Sequence, residues 1–443
     1  GRGLFAQREL PAESGRAPTI VLGDSPLGSI VQPSFGLAPG LACALCAHAL
    51  GSPRHHLYRL AGRKEAVLAK GAAYESLSVL EEPLSEVLSG QPLFARRRPL
   101  FCSIGCRDKY EQIFGSLRAD VTAVRRFVQH AKRCSCSFYV LALKLICWAL
   151  SEARTGMKSN DDAAAPLRAL HRRLYWDAVD NSEDAEVRKS HRLRLQLEAE
   201  ESRKLALQVL ENGSMLPLPI GWDFLTSEGY ASLLGALCCN AIACVYVSPL
   251  VHHVLQVDAM VECRERRRAI MELAPWIRLL TDQATAKRGR ASGNSLEQVV
   301  CREGETAEQK AINAGDERWL AWDVPAGPQG ESGPGDCLKF STKLFPPYHG
   351  YAIYPRLAVC NHACKSSCAV EFSFAGTLLL LVQRGCCITR GGELTISYLD
   401  ASLGSFPEVT EEAAAVRRQQ LVPYGFFCCC EACSVSQHSV AES

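Results

Sequence analysis

The 443-residue sequence lacks a dominant charge of either sign, because 49 Lys and Arg residues face 47 Asp and Glu residues and leave a formal net charge of +2. A global basic field that would draw nucleic acid is therefore excluded, and so is the acidic excess of a solvating tail. No internal repeat of fixed period is present, which argues against a repeat architecture. Nucleic acid is not an expected partner.

A clear membrane span and a signal-peptide pattern are also missing. Residues 230–257 contain no Asp, Glu, Lys or Arg and are long enough to cross a bilayer. This stretch includes Asn240, Pro249 and His252, however, and has no basic flanks. A buried helix that runs into a buried strand is therefore the better interpretation, and no membrane contact is expected.

Cysteine is abundant, with 22 residues in the chain. A secreted disulfide scaffold would be shorter and denser in cysteine. We therefore expect an intracellular, reducing location, in the cytoplasm and/or nucleus, where some cysteines hold metal and most of the rest are buried as small apolar side chains. The length and the 47% hydrophobic content allow a large core.

Patterning along the chain indicates an α+β protein closed by strands that are distant in sequence. Two short strands, at residues 4–6 and 19–22, are expected to form a pair at the start. Apolar spacing of three and four predicts helices over residues 120–153. Residues 183–212 read as a charged helix. Either the helix is solvated and packs through one stripe of apolar residues, or it forms a coiled coil with a partner. Residues 283–335 read as a loop or a disordered insertion. In the last third of the chain, apolar and polar residues alternate as they do in β-strands.

The tail motif YGFFCCCEAC places Cys428, Cys430 and Cys433 as a CxCxxC cluster. A structural zinc site needs four ligands, so one is missing from the tail. Cys364, in the upstream stretch CNHACKSSC, is the natural fourth ligand if the tail folds back over that stretch. The alternatives are three buried thiols without metal and a metal site local to this stretch, formed by Cys360, His362, Cys364 and Cys368.

Two further cysteine pairs lie near the start of the chain. Cys43 and Cys46 form a CxxC pair, and Cys102 and Cys106 form a CxxxC pair. Four thiolates from two such pairs make a closed tetrahedral zinc site, although the long gap between the pairs is not specific. The alternative ligands in this region are His48, His55 and His56.

Four motifs in this order, GRGLFA at the start, NHAC at 361–364, GGELTISYLD at 391–400 and YGFFCCCEAC at 424–433, resemble the SET domain of protein lysine methyltransferases. The zinc pairs and the split by helices look like the SMYD (SET and MYND) branch. The likeness covers residues 1–115 and 220–433. Ser366 and Ser367 depart from the family turn NHxCxPN and are expected to loosen it. With ten residues after Cys433, the chain looks like the shorter branch that has no C-terminal helical repeat.

The resemblance implies a SET-type β-rich fold of small sheets built from N- and C-terminal segments, with a helical insert and a zinc-binding insert. It also implies an organisation along the chain. The expected parts are the N-terminal part of the SET domain at 1–40, a reduced MYND-like zinc insert at 41–115, a helical insert at 116–215, a helix-strand SET insert region at 216–282, a flexible linker or disordered loop at 283–335, the C-terminal SET core at 336–405 and a post-SET cysteine tail at 406–443.

For the cofactor, the resemblance implies that S-adenosylmethionine is cradled by the glycine turn and held by the Asn-His pair and by an Asn of the helix-to-strand region. An aromatic ring before the tail cysteines would stack on the adenine. A helix cap and plain packing are the simpler roles of that Asn and of the ring. The matching positions are Arg2, Gly3, Leu4, Asn240, Asn361, His362 and Phe426.

For catalysis, the resemblance implies that Tyr398 stands beside the methyl group and that Tyr354 and Tyr424 line a lysine channel, although each also fits a core tyrosine. The expected activity is methyl transfer from S-adenosylmethionine to a lysine amine of a protein substrate, with a histone as one option, and with two structural zinc ions. The alternative is a non-catalytic SET-like zinc-binding scaffold. A zinc hydrolase built on His362 or on His252 and His253 is disfavoured, because no HExxH-type pair is present.

Overall fold

The computed structural model describes residues 3–10, 19–33, 42–46, 48, 50, 56–57, 60, 88–89, 100–156, 158–179, 184–246, 248–291, 318–324, 336–345, 348–372, 377–383, 385–399 and 410–434. Arg2 and His55, both named above, lie outside these residues. Helices and small sheets are mixed in the described part, which confirms the α+β class.

The strands are short, and most belong to three sheets of three strands each. Their orders are β1-β13-β10, β11-β12-β2 and β3-β9-β6, with the pairs β4-β5 and β7-β8 beside them. The strands are β1 Leu4–Phe5, β2 Ile20–Asp24, β3 Gln32–Pro33, β4 Leu88–Ser89, β5 Leu100–Phe101, β6 Ala241–Tyr246, β7 Trp319–Val324, β8 Asp336–Ser341, β9 Tyr348–Ile353, β10 Asn361–His362, β11 Cys368–Phe372, β12 Leu378–Val382 and β13 Glu393–Ile396.

Each of the three N-terminal strands enters a different sheet and pairs there with a strand from the last quarter of the chain. β1 pairs with β13, β2 with β12 and β3 with β9. The prediction that distant strands close the domain is therefore confirmed. The prediction that the first two strands pair with each other is wrong, because the apolar run of β12, central in its sheet and buried, offers β2 a better partner than an isolated hairpin could.

Helices form the middle of the chain. They are α1 Ile104–Phe114, α2 Val121–Arg133, α3 Ser137–Arg154, α4 Asn160–Arg168, α5 Tyr175–Val179, α6 Ala185–Asn212, α7 Ser227–Asn240, α8 Pro249–Ala259, α9 Arg264–Ala291 and α10 Glu411–Leu421. α3 is buried on nearly all sides from Ser137 to Ser151, as expected for the central helix of a bundle. The helices predicted over 120–153 and 183–212 are thus present.

The apolar stretch over residues 230–257 is divided among three elements. α7 ends at Asn240, β6 begins at Ala241, and α8 follows. This agrees with a buried helix that runs into a strand. None of the helices in the described ranges has the length and the apolar content needed to cross a membrane.

The segment predicted as a loop, residues 283–335, differs from that prediction at both ends. α9 continues to Ala291, and Trp319–Val324 forms β7, which pairs with β8. Leu320 and Trp322 are buried while their neighbours in β7 are exposed, so a half-buried strand was hidden next to the Gly-rich stretch. The indole Nε1 of Trp322 donates to Asp258 at 3.0 Å, which ties this hairpin to α8.

Buried side chains fall into separate clusters. The largest joins the helices α1 to α7, a second fills the space between the small sheets, and a third lies under α8, α9 and the β7-β8 hairpin. Among the described residues, a fourth, small cluster near the tail has four buried members, and two of them are cysteines: Leu399, Leu421, Cys428 and Cys433. So little apolar material makes a weak core, and the tail therefore needs another source of stability.

Candidate functional site

β13 lies at the centre of the site, because its two neighbours bring the N-terminal strand β1 and the Asn361–His362 strand β10 to it. Leu4 of β1 pairs with Leu394, and Asn361 of β10 pairs with Thr395. The Asn361 amide donates to Glu393 Oε1 at 2.6 Å. A Cβ atom on Gly3 would lie 2.5 Å from the same oxygen, so any larger residue would displace the Glu393 carboxylate.

The turn that leads into Asn361 is held by a residue from the start of the chain. Asp24, at the end of β2, is buried, and its carboxylate accepts hydrogen bonds from the backbone N–H groups of Arg356 and Leu357 at 2.8 and 3.1 Å and of Ser25 at 3.0 Å. Three donors satisfy this buried charge. Asp24 therefore fixes the direction in which the chain enters β10.

The two serines that depart from the family turn make side-chain hydrogen bonds to the surrounding strands. The Ser367 hydroxyl donates to Glu393 O at 3.3 Å and accepts from Thr395 N at 3.0 Å. Ser366 Oγ accepts from Gln383 Nε2 at 2.9 Å and is buried. Hydrogen bonds to β13 and to the end of β12 therefore hold this turn, in contrast to the loosening expected from the loss of proline.

Four rings from the two sides of the site meet in what we call the aromatic cluster, made of His362, Tyr398, Tyr424 and Phe426. The ring centroids of His362 and Phe426 are 5.9 Å apart, and those of Tyr398 and Tyr424 are 4.9 Å apart. Tyr398 joins the pairs, at 5.3 Å from His362. Phe426 remains 39% exposed, so one face of this cluster is open to a ligand.

Hydrogen bonds and burial fix the protonation of two members of the aromatic cluster. Tyr398 N donates to His362 Nδ1 at 3.0 Å, and burial lowers the pKa of His362 to about 4, so the imidazole is neutral near pH 7. Burial raises the pKa of Tyr398 to about 12, and its protonated hydroxyl donates to Cys360 O at 2.5 Å. The phenol oxygen keeps its acceptor capacity.

The remaining tyrosine and asparagine of the expected site are buried. Tyr354 has no exposed surface, its hydroxyl lies 3.5 Å from Cys244 Sγ, and its ring lies 6.0 Å from Phe372. Asn240 ends α7, and its amide donates to His171 O at 2.8 Å and to Ala236 O at 2.7 Å. Asn240 therefore holds the backbone at His171.

The loop at residues 171–173 holds the 3₁₀ turn Val422–Tyr424 of the site, a contact that no sequence pattern indicated. The His171 ring lies 3.2 Å from Tyr424 O, and Arg173 Nη1 donates to Val422 O at 2.7 Å and to Pro423 O at 2.6 Å. Gly425 has a φ of 77°, and a Cβ there would lie 2.9 Å from the Arg173 side chain. The helical insert thus positions Tyr424. Asn240, at the end of α7, holds the same loop by its hydrogen bond to His171 O.

The C-terminal cysteine cluster consists of Cys364, Cys428, Cys430 and Cys433, whose sulfur atoms all lie within 4.8 Å of one another. Cys364 Sγ is 3.7 Å from Cys428 Sγ and 3.4 Å from Cys433 Sγ. A disulfide would need about 2.05 Å. Four sulfurs bound to zinc at about 2.3 Å are about 3.8 Å apart, so the donor set fits a zinc ion.

This grouping confirms that Cys364 joins the tail cysteines. Cys360 and Cys368 lie instead among the buried side chains of the small sheets, so the alternative of a metal site local to CNHACKSSC is wrong. Cys429 is exposed, as expected if it points away from the metal.

The N-terminal cysteine cluster consists of Cys43, Cys46, Cys102 and Cys106, with Sγ–Sγ distances of 3.4 to 3.8 Å among the last three. Cys106 lies in the first turn of α1, where the Ser103 hydroxyl accepts from its N–H at 3.1 Å. The positive end of the helix favours thiolates there. A hydrogen bond with the Cys46 side chain lowers the pKa of Cys43.

This second grouping confirms the predicted four-thiol set and contains neither His48 nor His56. The two clusters together can hold two zinc ions. Comparison with known proteins adds no family to this geometry. No protein-family model matches the chain. A search of curated proteins gives no match either.

Proposed function

We propose that the protein is an S-adenosylmethionine-dependent methyltransferase with a SET-type fold that acts on the side-chain amine of a lysine in a protein substrate. One observation carries this proposal. Gly3 lies against Asn361, and the neighbouring His362 lies against Phe426, so three distant segments meet at β13. These are the segments that the resemblance assigns to one cofactor.

The residues present suit such a cofactor chemically. Gly3 brings a backbone without a side chain next to the Asn361 amide and the Glu393 carboxylate, and the open face of Phe426 offers a stacking surface for a purine. Leu4 and His362 are fixed by pairing with β13. When bound, S-adenosylmethionine supplies a sulfonium methyl group that an amine takes up in a single displacement.

The tyrosines of the site would receive the lysine. A lysine amine in water has a pKa of about 10.4 and is protonated at neutral pH, whereas apolar walls favour its neutral form. Tyr398 keeps its proton and donates to Cys360 O, which leaves its oxygen lone pairs available to orient the amine. Tyr424 and, deeper in the protein, Tyr354 would complete the walls of the channel. Alignment of the amine supplies most of the rate.

The C-terminal zinc would act structurally in this proposal. Cys364 follows His362 by two positions, and Cys428 follows Phe426 by two positions. Binding both cysteines to one ion would therefore hold the two aromatic side chains at their distance. No metal-bound water is required, because four thiolates close the site.

The competing function is a non-catalytic zinc-binding scaffold. Calorimetric titration with S-adenosylmethionine separates the two, because a scaffold has no need of the cofactor. We expect one cofactor per chain, and no binding would leave the scaffold as the function. Incubation with labelled S-adenosylmethionine and a whole-cell extract, followed by identification of modified lysines, would then name the substrate.

A matched pair of variants tests the cofactor face itself. Phe426→Ala removes the proposed stacking surface and should weaken binding by about 1–3 kcal/mol, the usual range for base stacking on an aromatic ring. Phe427→Ala, one residue on, removes a ring that is 70% exposed and packs under Arg418. It should leave cofactor affinity within about twofold of the parent protein. Equal effects of the two would contradict the assigned face.

A further inference from the structure

The carbonyl end of the helical segment in the tail faces the helical insert. α10 ends at Leu421, and the 3₁₀ turn Val422–Tyr424 continues it. Carbonyl groups at the end of a helix lack partners further along it and carry partial negative charge. Arg173, from the helical insert, supplies a charged donor, because its Nη1 atom donates to Val422 O at 2.7 Å and to Pro423 O at 2.6 Å. A cation from a distant part of the chain therefore caps this helix end.

The loop that carries Arg173 is fixed against α7. The buried side chain of Asn240 binds both sides of the His171 backbone, since its Oδ1 accepts from His171 N at 3.3 Å and its Nδ2 donates to His171 O at 2.8 Å. A Cβ atom on Gly235 would lie 2.0 Å from Arg173 O, so α7 lies closer to this loop than any side chain at that position would allow. Arg173 therefore reaches the tail from an anchored backbone.

Gly425 turns the chain between two rings of the aromatic cluster. Its φ is 77°, and a Cβ atom on it would lie 2.9 Å from Cδ and Nε of Arg173. Before this glycine, the Tyr424 ring lies 4.9 Å from the ring of Tyr398, and after it the Phe426 ring lies 6.1 Å from the same ring. The Arg173 side chain thus packs against the residue that separates the two rings, and one contact sets the position of both.

The tail turn is held on its other side by different groups. The Cys239 thiol lies 3.7 Å from Pro423 O, but a thiol is a weak donor, whereas hydrogen bonds from a charged group are among the stronger ones. The C-terminal cysteine cluster begins again at Cys428, two positions after Phe426. The two rings of the tail therefore lie between Arg173 on one side and this cluster on the other.

We propose that Arg173 is a positioning residue of the site. By capping the tail turn from the helical insert, it sets where Tyr424 faces the lysine and where Phe426 faces the cofactor, a consequence that rests on the proposed methyl transfer. Arg173 acts through these two rings and touches neither substrate nor cofactor. The helical insert is then a working part of the site and not an attached module.

The neighbouring arginine provides a matched control. Arg172 donates to Leu167 O at 3.3 Å, and its guanidinium lies 5.9 Å from the centre of the Phe224 ring. Both contacts are made within the helical region, away from the tail turn. Replacement of either arginine by methionine removes one charge and a hydrogen bond to backbone carbonyl at similar volume. The two variants therefore differ in whether the tail turn loses its cap.

The first test measures the rate of methyl transfer from labelled S-adenosylmethionine to a whole-cell extract, with cofactor affinity measured by calorimetry well below the melting temperature. Arg173→Met should slow transfer by about 100-fold, the loss that a misplacement of about 1 Å causes. It should also weaken cofactor binding by about tenfold, because the stacking ring shifts. Arg172→Met should keep both values within about twofold, even where it lowers the melting temperature.

A loss of stability alone changes the melting temperature without changing the cofactor affinity of the folded protein. Equal effects of the two variants on rate and affinity, or a normal rate in Arg173→Met, would therefore overturn the proposal. Rescue provides a further criterion. Both carbonyl contacts come from the single nitrogen Nη1, so the three donors of an ammonium group can serve them. Arg173→Lys should recover about tenfold of the lost rate, and a lysine variant as slow as Arg173→Met would contradict the assigned contacts.

Fluorine NMR of protein that contains 3-fluorotyrosine tests the positioning itself, without cofactor or substrate. Tyr424→Phe identifies the Tyr424 signal among the 12 tyrosines. Arg173→Met should move this signal towards that of a solvent-exposed ring, and Arg172→Met should leave it in place. If Arg173→Met does not fold, Arg173→Gln takes its place, because its shorter, uncharged side chain also loses the cap.

The two measurements separate the positioning role from the proposed function. A parent protein that binds no S-adenosylmethionine but shows the Tyr424 shift in Arg173→Met would refute methyl transfer and support the role of Arg173. A Tyr424 signal that stays in place in the Arg173 variant would refute that role, whether or not the protein transfers methyl groups.

Discussion

The two cysteine clusters each consist of four thiols, yet they join different parts of the molecule. The N-terminal cluster connects two short pairs next to α1 and packs against the large helical core. Both clusters bridge similar separations in sequence, 56 positions between Cys46 and Cys102 and 64 between Cys364 and Cys428, but the C-terminal cluster belongs to a core with four buried members among the described residues. The first arrangement fixes an insert to a structure that is already stable. The second assembles a site from distant segments.

The comparison is tested most severely by removing one ligand from the C-terminal cluster. Cys430→Ser should lose one of two zinc ions and weaken S-adenosylmethionine binding by about 100-fold or more, because His362 and Phe426 are no longer held together. Elemental analysis and calorimetry measure the two effects. The adjacent exposed thiol is the control, and Cys429→Ser should retain both ions and full affinity. A Cys430→Ser protein with normal cofactor affinity would contradict the assembly role.

A second substitution separates chemistry from assembly at the C-terminal side. Tyr398→Phe removes the hydroxyl that donates to Cys360 O and should reduce the rate of methyl transfer by about 100-fold. Both zinc ions should remain bound, and cofactor affinity should stay within about twofold. Transfer of labelled methyl groups, measured beside calorimetry, checks this. Full activity would show that the role of Tyr398 is misassigned.

Removal of a ligand from the N-terminal cluster should lower thermal stability and leave cofactor affinity nearly unchanged. Cys106→Ser should lose the other zinc ion and lower the melting temperature, because the insert is released from α1. Cofactor affinity should change by less than about threefold, since distant sites contribute nearly additively. A thermal melt and calorimetry on the same sample provide the measurement. A loss of cofactor binding as large as that in Cys430→Ser would erase the distinction between the clusters.

The smallest expected effects come from the helix caps near each cluster. Ser103 accepts from Cys106 N, and Thr410 accepts from Ala413 N at the start of α10. Replacement of either by alanine should cost about 1 kcal/mol of stability, as is typical for an N-cap. Ser103→Ala should also weaken zinc at the N-terminal cluster, whereas Thr410→Ala should not change either site. Denaturant unfolding and chelator competition distinguish the two variants.

Sequence patterns were sufficient where the structure depends on neighbouring residues or where a metal site requires a fixed number of ligands. The CxCxxC tail needed a fourth thiol, and Cys364 provides it. The helices over residues 120–153 and 183–212 followed from the sequence pattern, whereas the C-terminal part of α9 lies in a segment predicted as a loop. The sheets were harder, because the short strands β1, β2 and β3 carry no information about which of several distant strands they pair with.

Contacts made by single polar side chains could not be predicted. His171 and Arg173 reach the segment around Tyr424 from about 250 positions away, and Asp24 reaches Arg356 across more than 300. A histidine, an arginine or an aspartate in a loop has many possible partners, and only the folded backbone selects one.

The pairing of Leu4 with Leu394 also affects how this protein is made in the cell. The ribosome releases β1 about 390 residues before its partner β13, an interval of about 20–80 s at ordinary elongation rates. The helices between them rely on neighbouring contacts and can form meanwhile. Until synthesis passes Ile396, β1 has an unpaired edge, and a nascent chain released before that point has no strand on which to close.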